Sequence, residues 1–321
     1  MASTLSDAEH TFNTTFYRTL MGWSGEMLKL ATPLVDDVAN KDIVDIYGLG
    51  AWTAQSGLGD ITTQDIRAQG VSSKPAVWEL LLTLTNKQAR DTQGVIEQQA
   101  QVAAKNFMEQ VSTRFFGKFR DSHTTAHPEN SVVGSPYAAN GGGTVHFADV
   151  FDMTFVNGGT KTQGNLFNVA LGQTGLETLV GARVDYRDRS GFRASRPGEK
   201  PFLLSGPTKM FQAADYAGQK ERTYTGAGME SAWSEWLGGR IVDPDLTGNN
   251  WGLVWVTEYV AVGPNGEQVA VRRCPVWVHL RMLPEFRITK GEKANTVNLV
   301  GEAEYDVGYM PWEGDWFYSR P

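Results

Sequence analysis

Five histidines and a single cysteine are the side chains best suited to hold a metal or move a proton in this chain of 321 residues. His123 and His127 have the spacing of two zinc ligands on a helix, but Thr124-Thr125-Ala126 lacks the glutamate of a metalloprotease helix and Pro128 follows. That stretch reads as loop. His279 lies in an apolar run and reads as a satisfied core or interface histidine. Cys274 has no activating base beside it and precedes Pro275, the setting of a buried, inert thiol. With one cysteine, neither an internal disulfide nor a cysteine zinc site can form. Gly158-Gly159-Thr160-Lys161-Thr162 lacks the spacing of a phosphate-binding loop. Asp243-Pro244-Asp245-Leu246-Thr247-Gly248 resembles half a calcium loop, but Val254 stands where the twelfth-position glutamate would be. No G-x-S-x-G elbow occurs. The expectation is no enzyme, no cofactor and no metal.

Composition narrows the classes further. Hydrophobic residues make up 41% and charged residues 20%, enough for a packed core and unlike a disordered chain. The formal net charge is -7, and no basic run is present, which argues against reading or wrapping nucleic acid. No apolar run approaches the roughly 20 residues of a membrane helix, and no secretion signal opens the chain. Seven of the ten tryptophans fall between Trp233 and Trp316. They are open to a carbohydrate-binding reading, although core and interface packing is the commoner use of tryptophan.

The elements that must position these residues begin with an amphipathic helix. Ser6 and Glu9 have capping-box spacing, Phe12, Phe16, Leu20, Trp23, Met27 and Leu30 form one apolar stripe, and Pro33 closes it. Such a stripe serves a core-packed helix or an arm docked on a neighbour. Asp42–Gly50 and Val77–Thr85 read as strands flanking a weakly apolar stretch of about 20 residues, too long for a structureless loop in a compact domain. A projecting hairpin solves the problem. From Asn86 to Arg120, Ile96, Ala100, Ala103, Phe107, Val111 and Phe115 share one helical face, with Gly94 weakening the start.

Further along, Thr174 and Glu177 suggest a second capping box, and Phe202-Leu203-Leu204 followed by Gly206-Pro207 reads as strand then helix, an α/β unit. Leu253–Val262 and Glu267–Val278 flank Gly263-Pro264-Asn265-Gly266, a hairpin signal. Val297–Met310 reads as one more strand, with Val297, Leu299, Gly301 and Ala303 on one side.

In this order the elements resemble the major head proteins of Mu-like phages, within the Hong Kong 97 type capsid fold. Tyr47-Gly48-Leu49-Gly50-Ala51-Trp52 resembles the opening of the family's E-loop, and Lys74 to Asp91 its return strand. Residues 92 to 117 resemble the spine helix. Gly158 through Gly191, then Pro201 to Pro207 and Trp233 to Leu253, resemble the axial domain. Tyr305-Asp306-Val307-Gly308 and Trp312 to Ser319 resemble the closing peripheral strand. The stretches 128 to 143 and 253 to 278 depart from the family pattern.

The resemblance implies an α+β chain with an N-terminal arm at 1–41, an E-loop hairpin at 42–88, a peripheral domain at 89–160 and 285–321, and an axial domain at 161–284. It implies a shell protein of the virion, built in the host cytoplasm, that tiles with copies of itself into pentamers and hexamers around double-stranded DNA without sequence-specific contact. Scaffold, portal and decoration proteins are the implied partners, and no membrane is. Phe12, Phe16, Trp23, Tyr47, Leu49, Trp52, Leu58, Ile61, Ile66 and Trp78 are the expected inter-subunit contacts. An encapsulin-like nanocompartment shell and an intracellular carbohydrate-binding β-rich protein are the alternatives.

Overall fold

The computed structural model describes residues 2–22, 25–39, 41–47, 67–90, 94–121, 137–139, 150–155, 159–188, 191–193, 199–216, 233, 236–262, 266, 268–291, 293, 295–309 and 316–321. The chain opens with α1 (Ala2–Met21), α2 (Met27–Leu30) and a short β1 (Leu34–Val35). Then come β2 (Lys41–Tyr47), β3 (Arg67–Ser73), β4 (Ala76–Thr85), α3 (Asn86–Arg90) and the long α4 (Val95–Arg120). The middle holds β5 (Tyr137–Ala139), β6 (Val150–Thr154), β7 (Thr160–Gly164), β8 (Leu166–Phe167), α5 (Gln173–Asp185), β9 (Pro201–Ser205) and α6 (Met210–Tyr216). The last part is strands only: β10 (Gly239–Val242), β11 (Trp251–Trp255), β12 (Thr257–Val262), β13 (Gln268–Arg273), β14 (Val276–Lys290), β15 (Thr296–Tyr309) and β16 (Trp316–Ser319).

Helix α4 is the structural axis. Its 26 residues span about 39 Å at 1.5 Å per residue. Gly94 separates it from α3, as the weak helix propensity of glycine anticipates. The N-terminal half of α4 (Ile96, Ala100, Ala103, Ala104) packs with Phe12 and Phe16 of α1 against Leu84, Phe286, Val297 and Leu299 of a four-stranded sheet. That sheet has the order β1-β14-β15-β4. The C-terminal half of α4 (Val111, Phe115, Phe116, Phe119) packs on the same sheet and also on Leu204, Ile241, Val254, Trp316 and Tyr318 of a second one. The second sheet has the order β10-β9-β11-β16-β8, and its other face is covered by α5 and α6 through Leu176, Leu179 and Ala213. With cover on both faces, β11 (WGLVW) is buried at every position. Strands β9 and β10 are parallel neighbours linked through α6, the expected α/β unit.

The four-stranded sheet has an unusual edge. Beyond its short parallel contact with β1 at His279 and Leu280, β14 has no second strand partner among the described residues, and Pro284 lies in that open stretch. Three side chains on one face of α1 close it. Ile288 N donates to Glu9 Oε2 at 2.9 Å, Phe286 N donates to Asn13 Oδ1 at 3.2 Å, and Asn13 Nδ2 returns a bond to Phe286 O at 2.9 Å. Tyr17 Oη donates to Pro284 O at 2.7 Å. A helix thus satisfies backbone groups that a strand would otherwise pair, which blunts an aggregation-prone edge.

Several sequence expectations are corrected. Glu9 bonds to the sheet and not to a helix end, because α1 begins at Ala2 and Ser6 lies inside it. The second capping box does not form either, since α5 is preceded by Gly172 and has no side-chain cap. Val77–Thr85 is not the return strand of the hairpin. β2 pairs with β3, while β4 joins the sheet body against β15 along ten residues. β14 (Val276–Lys290) runs across the boundary expected at 284/285, and β16, expected in the peripheral segment, pairs in the sheet of β9, β10 and β11 from the expected axial segment. Trp251, Trp255, Trp277 and Trp316 are buried, which withdraws them from any sugar-stacking surface. Cys274 is buried, its thiol donating to Val276 O at 2.8 Å, and His279 is a satisfied core histidine. His123 and His127 lie outside the described residues.

Two glycines are set by close approach. A Cβ at Gly301 would sit 2.3 Å from the Phe286 ring, which Phe12 and Phe16 hold at centroid distances of 4.7 and 4.8 Å. A Cβ at Gly252 would meet the Trp316 ring at 2.3 Å and Phe317 O at 2.5 Å. Gly301→Ala is therefore expected to destabilise the subunit by about 1–3 kcal/mol through overpacking, read as a lowered urea midpoint with an unchanged slope. An unchanged midpoint would mean that Phe286 is free to move.

The C-terminus of α4 is also tied to the five-stranded sheet by a partly buried ion pair. Arg120, the last residue of α4, donates to Asp243 Oδ1 at 2.8 Å and to Asp245 Oδ2 at 3.2 Å. Burial pushes the Asp243 carboxyl above its ordinary value of 3.8, against the lowering influence of Arg120. A carboxyl raised in the fold gives its stabilising contribution fully below the unfolded value and loses it as pH rises through the folded one. The stability difference between wild type and Asp243→Asn should therefore shift against wild type as pH rises from 3.8 through the folded value, measured by urea unfolding across that window.

Candidate functional site

With no catalytic or metal constellation expected from the sequence, the surfaces left open by the two sheets are the features to build from. Among the described residues, no group of three or more His, Cys, Asp or Glu side chains could hold a metal ion. No described helix is long and apolar enough to cross a membrane.

The first open feature is the β2–β3 hairpin. Seven residue pairs run antiparallel from Lys41↔Ser73 to Tyr47↔Arg67, and neither strand pairs with a third among the described residues. A two-stranded ribbon is marginal by itself in water. Its root is held firmly. Ser73 is fully buried, its hydroxyl 2.9 Å from His279 Nδ1 and donating to Asp306 Oδ2 at 3.0 Å. Lys74 N donates to the same Asp306 oxygen at 3.0 Å. The chain then passes Pro75 and enters β4.

The second feature is β4. Among the described residues it pairs with β15 on one side only. Its sequence AVWELLLTLT is apolar at both parities of the strand. Leu82 and Leu84 turn inward, while Val77 and Leu81 stand 59% and 61% exposed on the other face. Trp78 stacks on Tyr305 at 5.3 Å, and the Arg114 guanidinium lies 3.8 Å over its ring. An apolar groove beside it is lined by Leu80, Phe107 and Gln110.

The third feature is the β12–β13 ribbon, which grows out between the two sheets because β11 belongs to one and β14 to the other. Val260 and Val262 are exposed on it, and Glu258 and Arg272 face each other at 3.7 Å. Thr32 and Arg272 exchange bonds that fix its base, Thr32 N to Arg272 O at 2.9 Å and Arg272 N to Thr32 Oγ1 at 3.0 Å. Phe211 of α6 and Trp236 are further exposed apolar side chains.

Of the expected contact residues, Phe12 and Phe16 are corrected. Both are fully buried against Phe286 of their own chain and have no surface to offer a neighbour. Trp78 is half-buried in its own subunit. Tyr47 is the last residue of β2. Trp23, Leu49, Trp52, Leu58, Ile61 and Ile66 lie outside the described residues. Val77 and Leu81, exposed apolar side chains on β4, are not among the expected contacts, because the sequence pattern assigns β4 to the hairpin. Their signal was present, since a strand with apolar residues at both parities must cover two faces.

Val77→Lys combined with Leu81→Lys is expected to leave subunit stability within about 0.5 kcal/mol of wild type, as surface substitutions do. It is also expected to abolish association through this strand, since edge lysines oppose strand addition. Thermal unfolding and sedimentation velocity separate the two effects.

No protein-family model matches the sequence, and no curated protein matches it. Solved structures do. A chain of the virus-like particle from Pyrococcus furiosus superposes with a TM-score of 0.50 at 9% identity, covering 97% of this chain and 98% of that one. The procapsid of bacteriophage JBD30 gives 0.46 at 14% identity, over 100% of this chain and 76% of that chain. The capsid of an empty GTA particle gives 0.47 at 10% identity, over 92% and 89%. The α+β fold expected from the resemblance to Hong Kong 97 type capsid subunits is thus the fold of this chain.

Proposed function

We propose that the chain is the major head subunit of a tailed phage, a protein that works by tiling. The observation that carries this reading is a capsid-type fold over nearly the whole chain, combined with a hairpin that pairs with no third described strand. In such a subunit the hairpin lies across an adjacent copy, which supplies its second layer. Head-to-tail contacts of this kind close into rings when the rotation fits. Rings of five and six then build an icosahedral shell around double-stranded DNA. Each contact can be modest because many act at once. A net charge of -7 suits an inner face that holds DNA without gripping it.

Within this reading the finer placement is the Mu-like head family. The chain acts in the virion after assembly in the host cytoplasm, with scaffold, portal and decoration proteins as partners and no catalytic step of its own. The second reading is an encapsulin-like nanocompartment shell, which the likeness to a virus-like particle supports no better than a phage head.

Negative-stain microscopy of the expressed full-length chain tests both. Regular shells, or rings of five and six, are expected. Nuclease-protected DNA in particles from the native source selects the phage head, and a co-purifying enzyme selects the compartment. A monomer at micromolar concentration with residues 41–73 protected from proteolysis would overturn both readings.

A further inference from the structure

Where the hairpin meets the sheet, four side chains from four separate segments form one unbroken chain of contacts. Asp36 Oδ1, just after β1, lies 2.7 Å from His279 Nε2 on β14. His279 Nδ1 lies 2.9 Å from Ser73 Oγ at the end of β3, and Ser73 Oγ lies 3.0 Å from Asp306 Oδ2 on β15. His279 and Ser73 are fully buried, and the Asp36 side chain is 22% exposed. His279 and Asp306 are also direct cross-strand partners.

The order Asp36–His279–Ser73 has the connectivity of a nucleophilic triad, but the serine cannot act as one. It is sealed from solvent, and its single hydroxyl proton points at Asp306.

Counting hydrogens gives a different role. The three contacts need one hydrogen each. Ser73 supplies one and a neutral imidazole supplies one. Ionised carboxylates supply none. All three bonds form together only when the four-residue network holds one proton more than this neutral-ring count. Asp306 Oδ2 accepts from both Ser73 Oγ and Lys74 N, so the extra hydrogen is placed on the imidazole, which faces Asp36 through Nε2 and Ser73 through Nδ1.

The other charged groups around the network are occupied with one another. Arg281 on β14 is bound by Glu304 of β15 and donates to Asp37 O. Lys74 contributes its backbone N–H.

We infer that this network is a proton-operated latch that ties the hairpin root and the N-terminal segment to the four-stranded sheet. With the extra proton bound, Asp36, Ser73 and Asp306 are all linked through His279. When the proton leaves, the neutral ring keeps its shortest bond, to Asp36, and Ser73 turns its hydroxyl to Nδ1. Asp306 is then held to the β3–β4 joint by the Lys74 amide alone. The hairpin root loosens while the sheet stays intact. The latch belongs to a single chain and does not depend on the shell reading.

The test uses the full-length chain with 15N-labelled histidine. The ring nitrogen shifts of His279 and the exchange rate of the Lys74 amide, corrected for its intrinsic pH dependence, are followed from about pH 5 to about pH 9. In wild type both ring nitrogens should carry protons at the acid end. One should be lost on raising the pH, and Lys74 exchange should rise roughly three- to tenfold over the same step, the equivalent of one net hydrogen bond. In Asp36→Asn the amide group can donate to Nε2, all three contacts close without the extra proton, and both steps should vanish. Far-ultraviolet circular dichroism confirms that the variant folds. If it does not, Ser73→Ala, in which Lys74 exchange should be fast at every pH, replaces it. A singly protonated ring at the acid end, or a ring titration that leaves Lys74 exchange unchanged, would overturn the latch.

Discussion

A sheet is stable only when its apolar face meets a second layer, and in this chain one helix provides that layer twice. The N-terminal half of α4 covers the four-stranded sheet with the help of α1, and its C-terminal half wedges Phe115, Phe116 and Phe119 between that sheet and the five-stranded one. Phe119 meets Trp316 edge-on at 4.8 Å, and Arg120 ends the helix on the buried Asp243. Without α4 each sheet would lose the cover of one of its faces. Where covering fails at an edge, α1 substitutes for a strand through Glu9, Asn13 and Tyr17. The features that remain after this economy are the β2–β3 hairpin, the outer face of β4 and the β12–β13 ribbon.

Much of the frame was legible in the sequence because periodicity reports burial directly. Ile96, Ala100, Ala103, Val111 and Phe115 fall on one helical face and are buried there. Along β15, burial alternates residue by residue, as Val297, Leu299, Gly301 and Ala303 indicated. Gly94 marked the break before α4, and the turn signal at Gly263–Gly266 marked the ribbon.

The errors share a cause, which is that local pattern does not reveal which partner an element finds. A strand that is apolar at both parities, as in Val77–Thr85, fits a projecting hairpin as well as a sheet edge, and only pairing with β15 decides. Phe12 and Phe16 carry the stripe of a docking arm, but the ring of Phe286, near the other end of the chain, claims them. Ser6 and Glu9 have capping-box spacing, yet Glu9 bonds an edge strand 279 residues away. The polar network at the hairpin root was invisible for the same reason. Its four members are scattered from Asp36 to Asp306, and His279 looked only like a core histidine.

The central claim is that the hairpin spanning residues 41–73 gains its second layer from another copy of the chain. Hydrogen–deuterium exchange of that segment, measured on free subunits and on assembled particles of the same preparation, tests it most directly. The expected result is rapid exchange in the free subunit and protection by at least about a hundredfold after assembly, as for backbone groups that become paired and buried. Equal protection in both states would contradict it, because the hairpin would then find its cover within its own chain.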